Sequence, residues 1–111
     1  MTDSTRSDPA LKPAAGDSAG SVVRVLKICN QKGLHARAAA KFVQVAEKFD
    51  ASVRVTGGTY GEPCDGTSIL DLLMLGAGPG TTITVEATGA QAAEAVEALA
   101  TLVAGRFTED E

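Results

Sequence analysis

The spacing of apolar residues changes repeatedly between two periods, and this change constrains the fold more than any other feature of the chain. In residues 52–56 and 81–87, alternate residues are apolar, as in strands with one buried face. Elsewhere apolar residues recur every three or four positions, as in amphipathic helices. One such stripe comprises Ala39, Phe42, Val43, Ala46 and Phe49, and another Ala92, Ala95, Val96, Leu99, Leu102 and Val103.

The predicted elements follow one another in the order βαββαβα. Strands are predicted at residues 22–30, 52–56, 59–65 and 81–87. Helices are predicted at 37–49, at 68–75 and from the residue after Gly89 to an end at Gly105. This order predicts an α+β fold, an open-faced two-layer sandwich in which a four-stranded antiparallel sheet carries three helices on one face. Gly57-Gly58 predicts a tight turn. Pro63 has no N–H to donate, so its strand is expected to lie at a sheet edge or to be irregular.

The chain is long enough for one domain. Its 111 residues divide into a predicted disordered extension (1–21, rich in Ser, Asp, Ala, Gly and Pro), a folded domain (22–107) and an acidic tail (108–111). No apolar run reaches the length of a membrane span, and the first residues do not resemble a signal peptide. We therefore expect a cytoplasmic protein that does not associate with membranes.

The two cysteines, Cys29 and Cys64, lack the C-x-x-C spacing of redox and metal motifs. In a reducing compartment they are predicted to be free thiols, one or both buried in strands. The chain has one histidine, so a zinc site would need both thiols and a carboxylate to converge from separate segments. We expect no metal and no cofactor.

Charge is distributed unevenly along a chain whose net charge is −4. Residues 22–54 contain seven Lys or Arg residues and two acidic ones, whereas residues 55–105 contain no Lys or Arg. This division indicates either a locally positive surface on an acidic body or charges that the fold scatters. The acidic balance and the lack of an aromatic and basic platform argue against nucleic-acid binding.

The segment GLHAR at residues 33–37 lies where the first loop meets the first helix. A helix start offers unbonded N–H groups and a partial positive charge, which together bind phosphate. The neutral imidazole of His35 can hold a phosphoryl group on nitrogen, and Arg37 can offset its charge. The predicted phosphate-cradling residues are Gly33, Ala36 and Ala38. The alternative is that His35 only caps the helix or lies on the surface.

The pentapeptide and the element order resemble the HPr family, the histidine-containing phosphocarriers of the bacterial phosphoenolpyruvate-dependent phosphotransferase system, over about residues 22–107. The resemblance implies a carrier, not a stand-alone enzyme, in which His35 accepts a phosphoryl group from enzyme I and donates it to an A-type acceptor domain. Arg37 would assist. Family members usually have proline where this chain has Ala38, and alanine should preserve the helix start. We expect a monomer, because a carrier exposes one face to successive partners.

A second family landmark is a serine that opens the middle helix, which is Ser68 here. In some bacteria a dedicated kinase phosphorylates this serine and weakens carrier function, so Ser68 is the predicted regulatory site and a serine kinase or phosphorylase a further partner. Ser68 can also cap the helix. The resemblance thus leaves a second reading open, a regulatory binding module that acts through Ser68 while His35 is idle.

The middle helix is unusually apolar, with six apolar residues among the eight at 68–75. A single core-facing stripe needs about half that number. In the family this face docks donor and acceptor proteins. We predict partner contacts through Ile69, Leu70 and Met74, with Leu72 and Leu75 in the core. The alternative is that the N-terminal extension covers the helix.

Residues 72–75 and 85–89, with the acidic tail, resemble the nitrogen-related branch of the family, which regulates instead of importing sugar. A different class of function would be a self-contained hydrolase or thiol-dependent enzyme. That reading requires Cys29 or Cys64 to reach His35, and no third orienting group is evident.

Overall fold

The computed structural model describes residues 21–57 and 60–108. Gly58 of the predicted turn, residues 1–20 of the predicted extension and residues 109–111 of the predicted tail lie outside these ranges. Within them the elements occur in the predicted order. They are β1 (Val22–Lys27), α1 (Ala36–Ala46), β2 (Ser52–Gly57), β3 (Tyr60–Asp65), α2 (Ile69–Met74), β4 (Thr82–Thr88) and α3 (Ala92–Ala104), and a 3-10 turn (Arg106–Thr108) follows.

The four strands form one antiparallel sheet in the order β1-β4-β2-β3. Alternate residues point to opposite faces of a strand, so the buried residues of the strands lie on one side of the sheet. The buried strand residues are Leu26, Val53, Val55, Ile83, Val85 and Ala87. The helices pack against this face, whereas Val23 and Val25 on the other face are exposed. The predicted open-faced α+β sandwich is confirmed.

Helix α1 begins one residue earlier than predicted and ends earlier, at Ala46. Its buried residues are Ala38, Ala39, Phe42, Val43 and Ala46. The prediction that the helix continues through Phe49 is wrong, because the Lys48 amide bonds to the Val45 carbonyl in a tighter turn. Phe49 is half-buried and packs against the core from outside the helix. Its apolar character therefore fitted the helical stripe without belonging to the helix.

Strand β1 ends at Lys27, before the predicted end at Asn30, although Ile28 still bonds to the segment that precedes β4. The Ile28 amide donates to the Thr81 carbonyl at 2.8 Å, and the Ile28 carbonyl accepts from the Gly80 amide at 2.7 Å. The side chains keep alternating, so Ile28 and Asn30 are buried and Cys29 between them is exposed.

Both cysteines are free, as predicted. The prediction that one or both are buried is wrong, since Cys29 is exposed and Cys64, on β3, is half-buried. Strand β3 pairs only with β2 and so forms a sheet edge, as Pro63 requires.

The chain after α3 is fixed to α1. Arg106, Phe107 and Thr108 adopt left-handed conformations with φ of 58°, 55° and 59°. Phe107 is completely buried, and Lys41 Nζ donates to its carbonyl at 2.6 Å and to Thr108 Oγ1 at 2.8 Å. Thr108, assigned to the tail by its sequence, therefore lies in an anchored turn.

Two leucines of α2 provide a test of this packing. Leu72→Ala should lower the free energy of unfolding by about 2–5 kcal/mol, because it leaves a cavity where the side chain is completely buried. Leu70→Ala, the control on the same helix, should change it by less than about 0.5 kcal/mol, because Leu70 is 65% exposed. Urea unfolding followed by circular dichroism measures both. Equal losses would contradict the assigned orientation of α2.

Candidate functional site

His35 is the N-cap residue of α1. Its backbone is extended, with φ −83° and ψ −176°, and its side chain is half-buried. The Nδ1 atom accepts a hydrogen bond from the Arg37 amide at 3.2 Å. A ring nitrogen that accepts carries the unshared electron pair, so in the neutral ring the proton is on Nε2. The structure therefore aims a nucleophilic nitrogen at the start of a helix.

The helix start beside His35 is suited to an anion. The first intrahelical bond runs from the Ala39 amide to the His35 carbonyl at 2.8 Å, so the amides of Ala36, Arg37 and Ala38 precede it. No acidic residue lies in the first turn. The helix begins at Ala36, so the alanine at position 38 preserves the helix start, as expected.

Two basic side chains are exposed close to His35 in the sequence. Lys32 belongs to the loop before it, and Arg37 belongs to the first turn of α1. Of the other bases in the positive half of the chain, Arg24 pairs with Glu97 on α3 and Lys41 bonds to the C-terminal turn. Lys32 and Arg37 can therefore approach an anion bound at the helix start.

Gly33 is required by the path of the loop. Its φ is +66°, and a Cβ atom there would lie 2.7 Å from the Ala77 carbonyl oxygen and 2.9 Å from Gly78 Cα. The next amide, of Leu34, donates to the same Ala77 carbonyl at 3.0 Å. The segment after α2 thus supports the loop that carries His35.

Asn30 also shapes this loop, and the motif analysis missed it. Its side chain is completely buried, and its Nδ2 donates to the Gly33 carbonyl at 2.8 Å. A sequence signal was present, because Leu26, Ile28 and Asn30 alternate along the strand direction and so point inward together.

The exposed face of α2 is largely as predicted. Ile69, Leu70 and Met74 are 41%, 65% and 56% exposed, whereas Leu72 and Leu75 are buried. The prediction omitted Leu73, which is 39% exposed and lies one turn after Ile69. Because α2 packs against α1 and ends three residues before Ala77, this apolar face and His35 belong to the same region of the molecule.

Ser68 caps the start of α2. Its Oγ accepts from the Asp71 amide at 3.2 Å, and Asp71 Oδ2 in turn accepts from the Asp65 amide at 3.4 Å. The amide and the hydroxyl of Thr67 both donate to Asp65 Oδ1 and hold the pKa of Asp65 below its usual value. Ser68 is therefore bonded to the main chain of both Asp65 and Asp71, since its own amide donates to the Asp65 carbonyl at 3.1 Å.

The cysteines do not support thiol chemistry at His35. Burial, and then the negative charges of Asp71 and Asp65, raise the pKa of the Cys64 thiol, so it stays protonated at neutral pH. No three His, Cys, Asp or Glu side chains gather into a potential metal site within residues 21–57 and 60–108. The same part of the chain has no helix long and apolar enough to span a membrane.

Comparison with known proteins adds independent findings. Residues 22–105 match the family model described as "PTS HPr component phosphorylation site". The chain is 48% identical to the phosphocarrier protein HPr of Pseudomonas aeruginosa over 87 residues, which is 78% of this chain and 94% of that protein. It is 42% identical to the phosphocarrier protein NPr of Shewanella violacea over 86 residues, covering 78% and 92% of the two chains.

Solved structures agree. HPr-C-His from Thermoanaerobacter tengcongensis superposes with a TM-score of 0.74 at 33% identity, over 81% of this chain and 99% of that one. A structure described as an HPr dimer from the same organism gives 0.61 at 36% identity, over 76% and 94%. The match to the family model covers residues 22–105, which are nearly all of the folded residues. The related sequences and the solved structures point to the same family. The chain belongs to the HPr family of phosphocarrier proteins.

Proposed function

We propose that this protein accepts a phosphoryl group on His35 Nδ1 from phosphorylated enzyme I and transfers it to an A-type acceptor domain. One observation carries the proposal, namely that Nδ1 accepts the Arg37 amide at the start of α1. That contact sets the nucleophilic electron pair beside the unbonded amides of the helix.

The transfer step follows from this arrangement. The Nδ1 electron pair attacks phosphorus, a nitrogen–phosphorus bond forms, and the bond from phosphorus to the donor breaks with its electron pair returning to the donor. The Arg37 amide then loses Nδ1 as an acceptor and can bond to a phosphoryl oxygen. The amides of Ala36 and Ala38 and the Arg37 guanidinium offset the remaining negative charge. The acceptor reverses the step by attacking the same phosphorus.

The exposed apolar face of α2 is the proposed docking surface for both partners. It comprises Ile69, Leu70, Leu73 and Met74. Apolar side chains next to a charged site are typical of interaction surfaces. One surface used in turn for donor and acceptor requires that each partner leave before the next binds, which favours a monomeric carrier.

The nitrogen-related role is part of the proposal, supported by the likeness to an NPr alongside several HPr proteins. A regulatory carrier needs the same chemistry at His35, so the proposed step does not depend on the branch.

A cytoplasmic location is proposed because enzyme I is the phosphoryl donor.

Regulation through Ser68 remains a prediction, and the local charges bear on it. A phosphate on Ser68 would stand near the carboxylates of Asp71 and Asp65 and would displace the cap on the Asp71 amide. The partial positive charge at the start of α2 favours such a phosphate, whereas the negative charge of Asp71 in the first turn opposes it. The proposal places the transferred phosphoryl group on His35 because of the contact at the start of α1, and Ser68 stays a predicted regulatory site.

Phosphorylation tests whether His35 is the acceptor residue. Incubation with phosphoenolpyruvate and enzyme I should add one phosphate, about 80 Da, which acid removes and base does not, because a phosphorus–nitrogen bond on imidazole is acid-labile. His35→Asn, which keeps a capping side chain, should abolish the mass increase. Intact-protein mass spectrometry measures both. An acid-stable phosphate, or phosphate on the His35→Asn variant, would refute the proposal.

Substitution of an exposed leucine tests whether α2 is the docking surface. Leu70→Glu should raise the KM for transfer from enzyme I at least about tenfold by placing a charge in the apolar contact, while circular dichroism shows a folded protein. Val25→Glu is the matched control, because Val25 is 62% exposed on the opposite face of the sheet. If the two variants show the same KM as the unchanged protein, α2 is not the docking surface.

A further inference from the structure

Asn30 is the only polar or charged residue with a buried side chain in the part of the chain that the structure describes. It follows β1 and precedes His35 by five residues. All the remaining large buried side chains of the core are apolar. Burying a side-chain amide is unfavourable unless it makes hydrogen bonds. The bonds that Asn30 makes therefore indicate why an amide occupies this position.

These bonds close the loop that carries His35. The main-chain carbonyl of Asn30 accepts from the Gly33 N–H at 3.3 Å. The side-chain Nδ2 of Asn30 donates to the main-chain carbonyl of Gly33 at 2.8 Å. The same Gly33 carbonyl accepts the amide of His35 at 2.9 Å. One carbonyl oxygen thus links the buried amide of Asn30 to the main chain of His35.

We propose that Asn30 is a positioning residue for phosphoryl transfer and acts on His35 through the Gly33 carbonyl. This inference rests on the proposed function of His35. The direction of a side chain follows from the backbone that carries it, and His35 holds its Nδ1 toward the Arg37 amide only with its extended backbone. By fixing the Gly33 carbonyl, Asn30 fixes the acceptor of the His35 amide and hence the direction of the ring.

Packing alone does not provide this restraint. Leu34 is buried and its amide bonds to Ala77, which anchors the middle of the loop. The Gly33 carbonyl, however, is held by a hydrogen bond from the buried side-chain amide of Asn30. Without that donor, the Ala77 carbonyl still holds the N–H end of the peptide that joins Gly33 and Leu34, but no buried side chain holds its carbonyl end, which can then tilt. The imidazole then samples orientations in which Nδ1 is away from the helix start.

Two measurable effects follow. Phosphoryl transfer depends mainly on positioning, so Asn30→Ala should lower kcat for phosphorylation by enzyme I about 10- to 100-fold. The KM should change less than about twofold, because the exposed face of α2 is separate from Asn30. In addition, the unchanged protein should show His35 with its proton on Nε2 alone, whereas Asn30→Ala should show a mixture of tautomers, since Nδ1 loses its fixed donor.

The experiment compares Asn30→Ala with Gln91→Ala. Gln91 Oε1 accepts the Asp50 amide at 2.8 Å beyond the far end of α1, so its loss removes an exposed side-chain to main-chain bond of the same length away from His35. Steady-state phosphorylation with phosphoenolpyruvate and enzyme I gives kcat and KM. Long-range ¹H–¹⁵N correlation spectra of the unphosphorylated proteins give the tautomer. Asn30→Ser, whose hydroxyl is one bond shorter than the amide, should change both readouts in the same direction if Asn30→Ala does not fold.

A lower kcat with a mixed tautomer in the Asn30 variant alone supports the inference. A folded Asn30 variant with unchanged kcat and tautomer overturns it, as does an equal loss of kcat in Gln91→Ala, which would show a general effect of stability. If the unchanged protein accepts no phosphate, the proposed function fails first, and the spectra separately show whether Asn30 orients the ring.

Discussion

The contact between two loops at one end of the sheet is the constraint on which the site depends. The loop before α1 and the segment after α2 meet where the Leu34 amide bonds to the Ala77 carbonyl, and the approach is so close that residue 33 must lack a Cβ atom. Without this contact, neither the direction of His35 nor the position of α2 beside it would be defined. The candidate site at His35 and the exposed apolar face of α2 are thus linked by one backbone contact between segments more than forty residues apart in the sequence.

Much of the fold could be predicted because its elements obey local rules. The alternation in β4 and the helical stripe in α3 each match one buried face, and Pro63 indicated an edge strand correctly. Helix ends were less predictable, since Phe49 continues the apolar stripe of α1 although the helix has already ended. Its burial depends on packing by other elements, which no local pattern records.

The candidate site divides in the same way. The location of His35 at a helix start followed from local spacing, whereas the nitrogen that faces the helix could be known only from the ring orientation. The role of Asn30 required the knowledge that the Gly33 carbonyl turns inward. Similarly, Ser68 could be predicted as a cap, but the bond from the Asp65 amide to the Asp71 carboxylate depends on how the chain folds back before α2.

The attachment of the chain end to α1 has a consequence for the encounter with partners. Helix α1 is held at its start by the His35 loop and in its middle by Lys41, which bonds to the turn around buried Phe107. A helix fixed in this way has little conformational entropy to lose when another protein binds the molecule. For the proposed carrier, association with each partner would then be limited by diffusion and by electrostatic steering, not by rearrangement of the chain.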